Sequence, residues 1–348
     1  MKLKSLLTIA SLAFTSAAFA QEAADAPLQI SGSADAYYKY DFAKRPNIGT
    51  SFATDQNSVS LGMLDLALKK TTGKASFVGE LSFGPRGQYQ SIPNGDGVDG
   101  NSFHIQNLYA TYAFTDKFSM TAGYMGTFIG YEVIAPTGNF NYSTSYLFTN
   151  GPFQNAGIKG TYAFSSKASL MVGLFNDWNV YKDFNGVSHI GAQLMLSPVE
   201  GWTAYLNVLS GTPALAGTAL NSSNGTILDL TTSYQVTESV KIGLNVADYS
   251  VANDGGGYGG GALYVQNAFT PGFALGLRGE LFTVKSTGPG TAKDIAAITL
   301  SGNIKSGGLT FIPEVRFDND SNSSFLKSDG LTPTKSASQF SLALVYAF

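Results

Sequence analysis

The chain of 348 residues contains no cysteine and only two histidines, and charged residues make up 13% of it. The absence of cysteine excludes disulfide bonds and thiolate metal sites. The charged fraction is about half of that in an ordinary soluble domain. The formal net charge of −3 argues against a nucleic-acid-binding surface. After the first 20 residues no long uninterrupted apolar run follows, so the sequence does not predict a helical membrane protein.

Catalytic chemistry has few candidates. His104 and His189 lie near predicted strand ends, with Ser102 and Ser188 close to them in sequence. A hydrolase needs its nucleophile, base and orienting group in contact. Because neighbouring residues of a strand point to opposite faces, we expect no Ser–His pair here. The glycine-rich run 255–261 lacks the Gly-Lys-Ser/Thr ending of a phosphate-binding loop and is expected to be a flexible loop entering a strand. We predict no enzyme, cofactor or metal site.

Residues 1–20 have the pattern of a secretory signal peptide. A basic start precedes an apolar core from Leu6 to about Phe14, which is shorter than the roughly 20 residues of a membrane-spanning helix. The small-residue pattern Ala-Phe-Ala ends at Ala20, and cleavage is expected after it. Residues 21–27 then form a short periplasmic N-terminal segment. Residues 28–348 are expected to form one domain, because no linker-like stretch divides them.

The rest of the chain, rich in glycine and aromatic residues, consists of segments in which apolar and polar residues alternate. Each is close to the roughly 9 to 11 residues that a tilted strand needs to cross a membrane. The sixteen predicted strands span residues 28–40, 57–70, 74–84, 103–114, 118–130, 155–164, 168–178, 189–196, 202–209, 226–236, 240–249, 261–269, 273–284, 295–304, 309–318 and 339–348. Boundary errors of a few residues leave fourteen or eighteen strands open.

Short and long connections alternate between these strands. The short ones, such as 71–73 and 270–272, are rich in Gly, Pro, Ser and Thr, whereas 85–102, 210–225 and 319–338 are longer and more polar. This alternation is expected when both termini lie on the periplasmic side, with short turns there and long loops outside. The sequence therefore predicts an all-β fold: a transmembrane antiparallel up-and-down β-barrel of about sixteen strands with short periplasmic turns and long extracellular loops.

Aromatic residues recur at predicted strand ends. Every second residue from Phe340 to Phe348 is bulky and apolar, so the last strand has one apolar face. The same Tyr-Ala-Phe ending occurs at Phe114 and Phe164, which predicts an aromatic girdle at the periplasmic membrane interface. The last strand resembles the final strand of outer-membrane barrels. That resemblance implies that Tyr346 and Phe348 belong to the signal read by the barrel-assembly machinery, with periplasmic chaperones as further partners.

Charged residues of the predicted strands fall opposite the most apolar strand faces. A basic side chain near the midplane of the lipid face costs about 2 to 4 kcal/mol, so these residues are expected to face the interior. The pore-lining candidates are Asp35, Asp65, Glu80, Lys159, Asp229, Lys241, Arg278, Glu280, Glu314 and Arg316. A barrel of sixteen strands is too wide for side chains alone to fill. We therefore expect a hydrated lumen, and the net negative charge weakly favours cations.

The connection at residues 130–154 contains six aromatic residues, too many for a purely solvated loop. We expect it to pack on the barrel, either folded into the bore as a constriction or against the rim, and the sequence leaves both open. The constriction-loop candidates are Tyr131, Glu132, Asn139, Phe140, Tyr142 and Tyr146. The bore width depends on which placement the loop adopts.

This loop, the preceding stretch Gly-Tyr-Met-Gly-Thr-Phe-Ile-Gly-Tyr-Glu (residues 123–132) and the mature chain as a whole resemble the putative β-barrel porin-2 (OmpL-like) family, which is common in Bacteroidetes-type outer membranes. The resemblance implies a barrel in the outer membrane of a Gram-negative bacterium. The favoured function is a water-filled channel for passive diffusion of small hydrophilic solutes or ions. A non-conducting barrel whose extracellular loops bind a partner, as adhesins do, stays open. Outer-membrane lipid surrounds either barrel, and a monomer and a homotrimer both fit.

Overall fold

The computed structural model describes residues 26–86, 103–215 and 218–348. The predicted signal peptide, its cleavage site after Ala20 and residues 87–102 of the predicted loop 85–102 lie outside this part. Within the described ranges no helix has the length and hydropathy to span a membrane. The strands are β1 Gln29–Asp41, β2 Ser58–Thr72, β3 Ala75–Phe83, β4 Phe103–Ala113, β5 Phe118–Gly126, β6 Gln154–Ser165, β7 Ala168–Trp178, β8 His189–Leu196, β9 Trp202–Gly211, β10 Gly225–Gln235, β11 Val240–Val251, β12 Gly257–Thr270, β13 Phe273–Lys285, β14 Lys293–Ser306, β15 Leu309–Asp320, β16 Phe325–Leu326, β17 Pro333–Thr334 and β18 Ser336–Ala347.

Sixteen of these strands form one closed antiparallel barrel, which confirms the predicted architecture. Each of β1 to β15 pairs with its sequence neighbour, and β18 closes the barrel between β15 and β1. The terminal residue takes part in the closure: Phe348 and Gly32 exchange backbone hydrogen bonds in both directions at 3.1 Å. A Cβ on Gly32 would lie 2.2 Å from the carbonyl oxygen of Asp65 and 2.7 Å from the Phe348 ring, so the close approach of these strands requires glycine at position 32. Closure leaves no free sheet edge in the membrane.

Side chains alternate between the two faces of the wall. Leu342, Leu344 and Tyr346 of β18 and the following Phe348 are exposed on the outside, whereas the residues between them are small or buried. This exposed apolar face suits hydrocarbon rather than water. The predicted alternation of the last strand is therefore confirmed.

The Tyr-Ala-Phe repeats lie at the end of the barrel with short turns. Tyr112 and Phe114 are exposed and pack edge to face, with ring centroids 4.9 Å apart. Tyr162 and Phe164 form the same arrangement at 5.2 Å. Rings exposed at a membrane boundary stabilise the vertical position of the barrel, because one edge of each ring can stay hydrated.

Three segments differ from the sequence prediction. Strand β5 ends at Gly126 instead of residue 130, because the chain turns there into the barrel interior. The run 255–261 was wrongly predicted to be a flexible loop: residues 257–261 belong to β12, where Gly260 faces Phe282. A Cβ on Gly260 would lie 2.3 Å from the carbonyl of Leu281, so close strand contact requires glycine there. The two short strands β16 and β17 form a hairpin of their own inside the predicted connection 319–338.

Candidate functional site: the inward loop and the barrel interior

Residues 127–153, here called the inward loop, leave the wall after β5 and return to it at β6. The loop contains a short 3-10 helix at Pro136–Gly138 and the helix α1 at Tyr146–Asn150. Ser145 caps α1 by accepting a hydrogen bond from the N–H of Phe148 at 3.0 Å. Residues 141–148 are all buried. They contact inward-facing side chains at mid-height in β13 and β15, so the loop lies inside the bore and not at its rim.

Two carboxylates of the wall bind backbone N–H groups of the loop. Glu280 of β13 accepts the N–H groups of residues 146 and 147, the first turn of α1, at 2.9 and 2.8 Å. Glu314 of β15 accepts those of residues 142 and 143 at 2.9 and 3.1 Å. Hydrogen bonds from neutral donors to an ionised acceptor are stronger than those between neutral groups. Since the bonds are to the backbone, they hold the loop whatever side chains it carries.

Two arginines bind the carbonyl groups of the same stretch. Arg278 donates to the carbonyl of Ser143 at 2.6 Å and to the carboxylate of Glu132, also in the loop, at 2.7 Å. Arg316 donates to the carbonyl of Thr144 at 2.8 Å and is paired with Asp318 on its own strand. Both guanidinium groups are fully buried. A buried charge needs such partners, because it has lost its hydration.

Tyrosine side chains of the loop reach the same wall. The rings of Tyr131 and Tyr264 stack with their centroids 4.4 Å apart. Tyr142 donates its hydroxyl proton to Asp35, and Tyr146 donates to Asp318 at 2.7 Å. Burial, and to a smaller extent the Glu132 charge, raises the pKa of Tyr131 to about 12. Burial and the Asp35 charge hold the pKa of Tyr142 well above its ordinary value, so it remains a donor.

Three aromatic rings of the loop lie against glycines of the wall. A Cβ would lie 2.5 Å from Phe128 at Gly191, 2.3 Å from Tyr131 at Gly243 and 2.2 Å from Phe140 at Gly276. Contacts that short do not occur between real side chains, so any larger residue at these positions would displace the ring. The wall glycines thus let the loop lie close to β8, β11 and β13.

The structure divides the predicted pore-lining residues into two groups. Six contact the inward loop and are at most 6% exposed: Asp35, Asp229, Arg278, Glu280, Glu314 and Arg316. They point into the barrel, but the loop covers them, so they bind protein instead of lining water. Asp65 is also buried and accepts a hydrogen bond from Ser33. Glu80, Lys159 and Lys241 face the interior and keep part of their surface exposed.

Five of the six constriction-loop candidates contact the wall in this way, through a side chain or the backbone. Asn139 does not: its amide joins two parts of the loop, donating to the carbonyl of Val133 at 2.6 Å and accepting the N–H of the same residue at 3.0 Å. Phe140, by contrast, also accepts a hydrogen bond from Asn303 of β14 at its carbonyl, 2.9 Å away. The predicted residues are therefore mostly anchors.

Sequence reasoning missed Arg86 and the connection between β1 and β2 (residues 42–57). Arg86 follows β3 and donates to the carbonyl of Ile134 at 2.8 Å. Its guanidinium lies 4.6 Å from the ring centroid of Phe52 and 4.9 Å from that of Tyr142. Ser51 also accepts a hydrogen bond from Thr144 at its carbonyl. No local pattern in the sequence signals these contacts, because they join three loops far apart in the chain.

The expectation that Ser188 and His189 point apart was wrong. The Ser188 hydroxyl lies 2.7 Å from His189 Nδ1 and 2.8 Å from an oxygen of Asp177. Ser188 precedes β8, so strand alternation does not apply to it. The Asp177 carboxylate lies 3.5 Å from the same Nδ1, whereas a catalytic triad uses both ring nitrogens. Among the residues that the structure describes, no cluster of three or more His, Asp or Glu residues is arranged to hold a metal ion.

Residues 27–348 match the family described as "Putative beta-barrel porin-2, OmpL-like", and no curated protein matches. An anion-selective porin from Comamonas acidovorans is similar in structure, with 13% identity and a TM-score of 0.63 over 92% of this chain and 99% of that one. The channel DcaP of Acinetobacter baumannii has 12% identity and a TM-score of 0.62 over 95% and 100%.

The trimer form of OmpT from Vibrio cholerae has 11% identity and a TM-score of 0.56 over 92% of this chain and 99% of that one. At such low identity these structures support the barrel fold alone. The family match supports more than the fold, because it extends from residue 27 to the last residue. The chain belongs to this porin family and is a β-barrel channel of the Gram-negative outer membrane.

Proposed function

We propose that small hydrophilic solutes diffuse passively through the barrel, along the interior surface that the inward loop leaves uncovered. The observation that carries this proposal is the attachment of the loop to only part of the wall. Its polar contacts to the wall lie on β8, β10, β12 to β15 and β1. Inward-facing Glu80 of β3, Tyr109 of β4 and Lys159 of β6 keep part of their surface exposed. The loop therefore narrows the bore by covering part of the wall.

The exposed interior charges support a preference for anions. From the midplane to the periplasmic end of the described barrel, Lys69, Lys159, Lys241 and Lys305 face the interior and are at least partly exposed, and Glu80 adds a partly exposed carboxylate. The carboxylates responsible for the net negative charge include several that are buried beneath the loop. The charges that line the bore, and not the net charge of the chain, act on a passing ion. We therefore propose that the channel prefers anions, whereas composition suggests cations.

The proposal includes no enzymatic activity. The Ser188–His189 contact, the best candidate for a nucleophile and base, has its carboxylate on the same nitrogen as the serine. We also propose that the barrel assembles as a homotrimer, which the trimer form of the similar OmpT supports. Tyr346 and Phe348 are proposed to be read by the barrel-assembly machinery, because both are exposed at the end of the closing strand.

Conductance in planar bilayers tests the channel. The purified chain is expected to give discrete current steps, with a reversal potential in a potassium chloride gradient that indicates chloride preference. Absence of steps over several preparations of folded protein would contradict diffusion through the bore and favour a barrel whose loops bind a partner. A reversal potential on the cation side would contradict the assignment of the lining lysines and leave the channel itself intact.

A further inference from the structure

The barrel wall is incomplete where β5 turns inward. Strand β4 continues past the end of β5, and Ile105 there has no β5 residue to pair with. The hydroxyl of Tyr181, from the connection between β7 and β8, takes that place. It accepts the N–H of Ile105 at 2.9 Å and donates to its carbonyl at 3.0 Å. In an intact antiparallel ladder one strand residue would make both bonds, so a single side chain seals this part of the wall.

A groove of about 370 Å³ lies below this seal. Its lining includes Ile105, Leu108, Tyr124, Ala156, Asn176 and Tyr181. Tyr124 is directly opposite both Leu108 and Ala156 in the ladder. Directly opposed residues of an antiparallel sheet share a face, and Leu108 is 54% exposed on the outer one. The groove therefore opens to the outside of the barrel and not to the lumen.

The groove is apolar with polar groups near one end. Tyr124 is 5% exposed and packs on the ring of Tyr181, with centroids 4.7 Å apart. Within the described ranges its hydroxyl has no hydrogen-bond partner. Asn176 contributes an amide near the extracellular end of β7. A buried hydroxyl left without a partner is costly, so a ligand with an acceptor group near its apolar chain would suit this lining.

The position of the groove along the membrane normal decides which part of a lipid can contact it. Leu108 lies five residues below Phe103, an exposed aromatic at the extracellular end of β4, and four residues above Tyr112 of the periplasmic girdle. With about 3.4 Å per strand residue, Leu108 lies near the middle of the hydrocarbon layer. The neighbouring outer residues Ile158 and Leu174 are exposed and apolar. The molecules that surround the groove are therefore acyl chains.

We propose that this groove binds an acyl chain of an outer-leaflet lipid, with the ring of Tyr181 beside the chain and Asn176 towards the lipid's polar end. The chain would fill the notch that β5 leaves in the wall. This site is separate from the bore: no residue of the inward loop lines it. The proposal depends on the membrane location of the barrel and does not depend on its conductance.

Photolabelling tests the proposal with the full chain in phosphatidylcholine vesicles. The probe is phosphatidylethanolamine with a diazirine in the middle of one acyl chain, and labelled peptides are mapped by mass spectrometry. Labelling is expected to concentrate on peptides with Leu108, Tyr124 or Ala156. The variant Ala156→Leu fills the groove. Because its side chain would occupy the volume of the acyl chain, labelling of the groove peptides should fall to the level of the rest of the outer face. The matched control is Ala296→Leu, on the outer face of β14, which should leave the pattern unchanged.

Folding of each variant is checked by heat-modifiable electrophoretic mobility. If Ala156→Leu does not fold, Tyr181→Ala tests the same site from the loop, where no wall residue is changed, and it too should lower labelling at the groove. Labelling spread evenly over the outer face, or unchanged in both groove variants, would overturn the proposal. Photo-crosslinks from this groove to a second copy of the chain would also overturn it and make the groove a subunit contact.

Discussion

Replacing Glu132 by alanine removes the buried ion pair between Glu132 and Arg278, which holds the inward loop against the wall. The carboxylate lies 2.7 Å from Arg278 Nη1, and it accepts the N–H of Ser145 at 2.7 Å and the hydroxyl of Tyr264 at 3.1 Å. Because Arg278 is fully buried, removing its partner costs about 3 to 5 kcal/mol as long as the loop stays in place. A penalty of about 3 kcal/mol changes the ratio of seated to released loop by about two orders of magnitude.

The barrel is expected to stay folded in Glu132→Ala, because the strand ladder does not involve this residue. Single-channel recordings should then show a larger and noisier conductance than in the parent chain. Glu80→Ala is the matched control: it removes an interior carboxylate that accepts a hydrogen bond from Asn107 of the neighbouring strand. It should change selectivity more than conductance. A folded Glu132→Ala variant with unchanged conductance and noise would refute the view that this ion pair seats the loop.

Three further predictions concern the lining, the loop contact and the closure of the barrel. Lys241→Glu should shift the reversal potential towards cations while the folded yield stays the same; loss of the barrel would contradict its interior position. Gly276→Ala should release the Phe140 ring at a cost of about 1 to 3 kcal/mol and raise current noise. The matched control is Gly279→Ala, where a Cβ meets no atom within 4 Å, and this variant should leave the current noise unchanged. Deleting Phe348 should lower the amount of folded barrel in the membrane, measured by heat-modifiable mobility, and an unchanged amount would contradict its role in closure.

The barrel could be predicted because apolar and polar residues alternate along every strand. The face of β18 that carries Leu342 and Tyr346 is apolar from Phe340 onwards, and a slip of one residue would bury it in the lumen and expose small residues to lipid. The same parity predicts an inward direction for Arg278 and Glu314. Each of these inferences needs only the sequence of one strand, since the pleat alone sets the direction of the side chain.

The sequence of one strand could not show that the inward loop covers these charged side chains. The contact of Glu280 with residue 146 joins positions 134 apart in the chain, and the bond is to the backbone, so no side-chain type in the loop signals it. The turn at Gly126 was hidden as well, because Thr127, Phe128 and Ile129 continue a pattern that fits a strand. For the ion preference, composition and the exposed interior charges point in opposite directions, since composition counts buried carboxylates and exposed lysines alike.

Cysteine accessibility tests the central claim, that the inward loop covers part of the barrel interior and leaves a water path along the rest. The chain has no cysteine, so Lys241→Cys and Ser301→Cys each introduce a single thiol. Ser301 is fully buried and bonded to Asn141 of the loop. A charged methanethiosulfonate added during recording should change the current of the Lys241→Cys channel within seconds and leave Ser301→Cys unmodified. Equal reaction at both positions, or reaction at position 301 alone, would contradict the account.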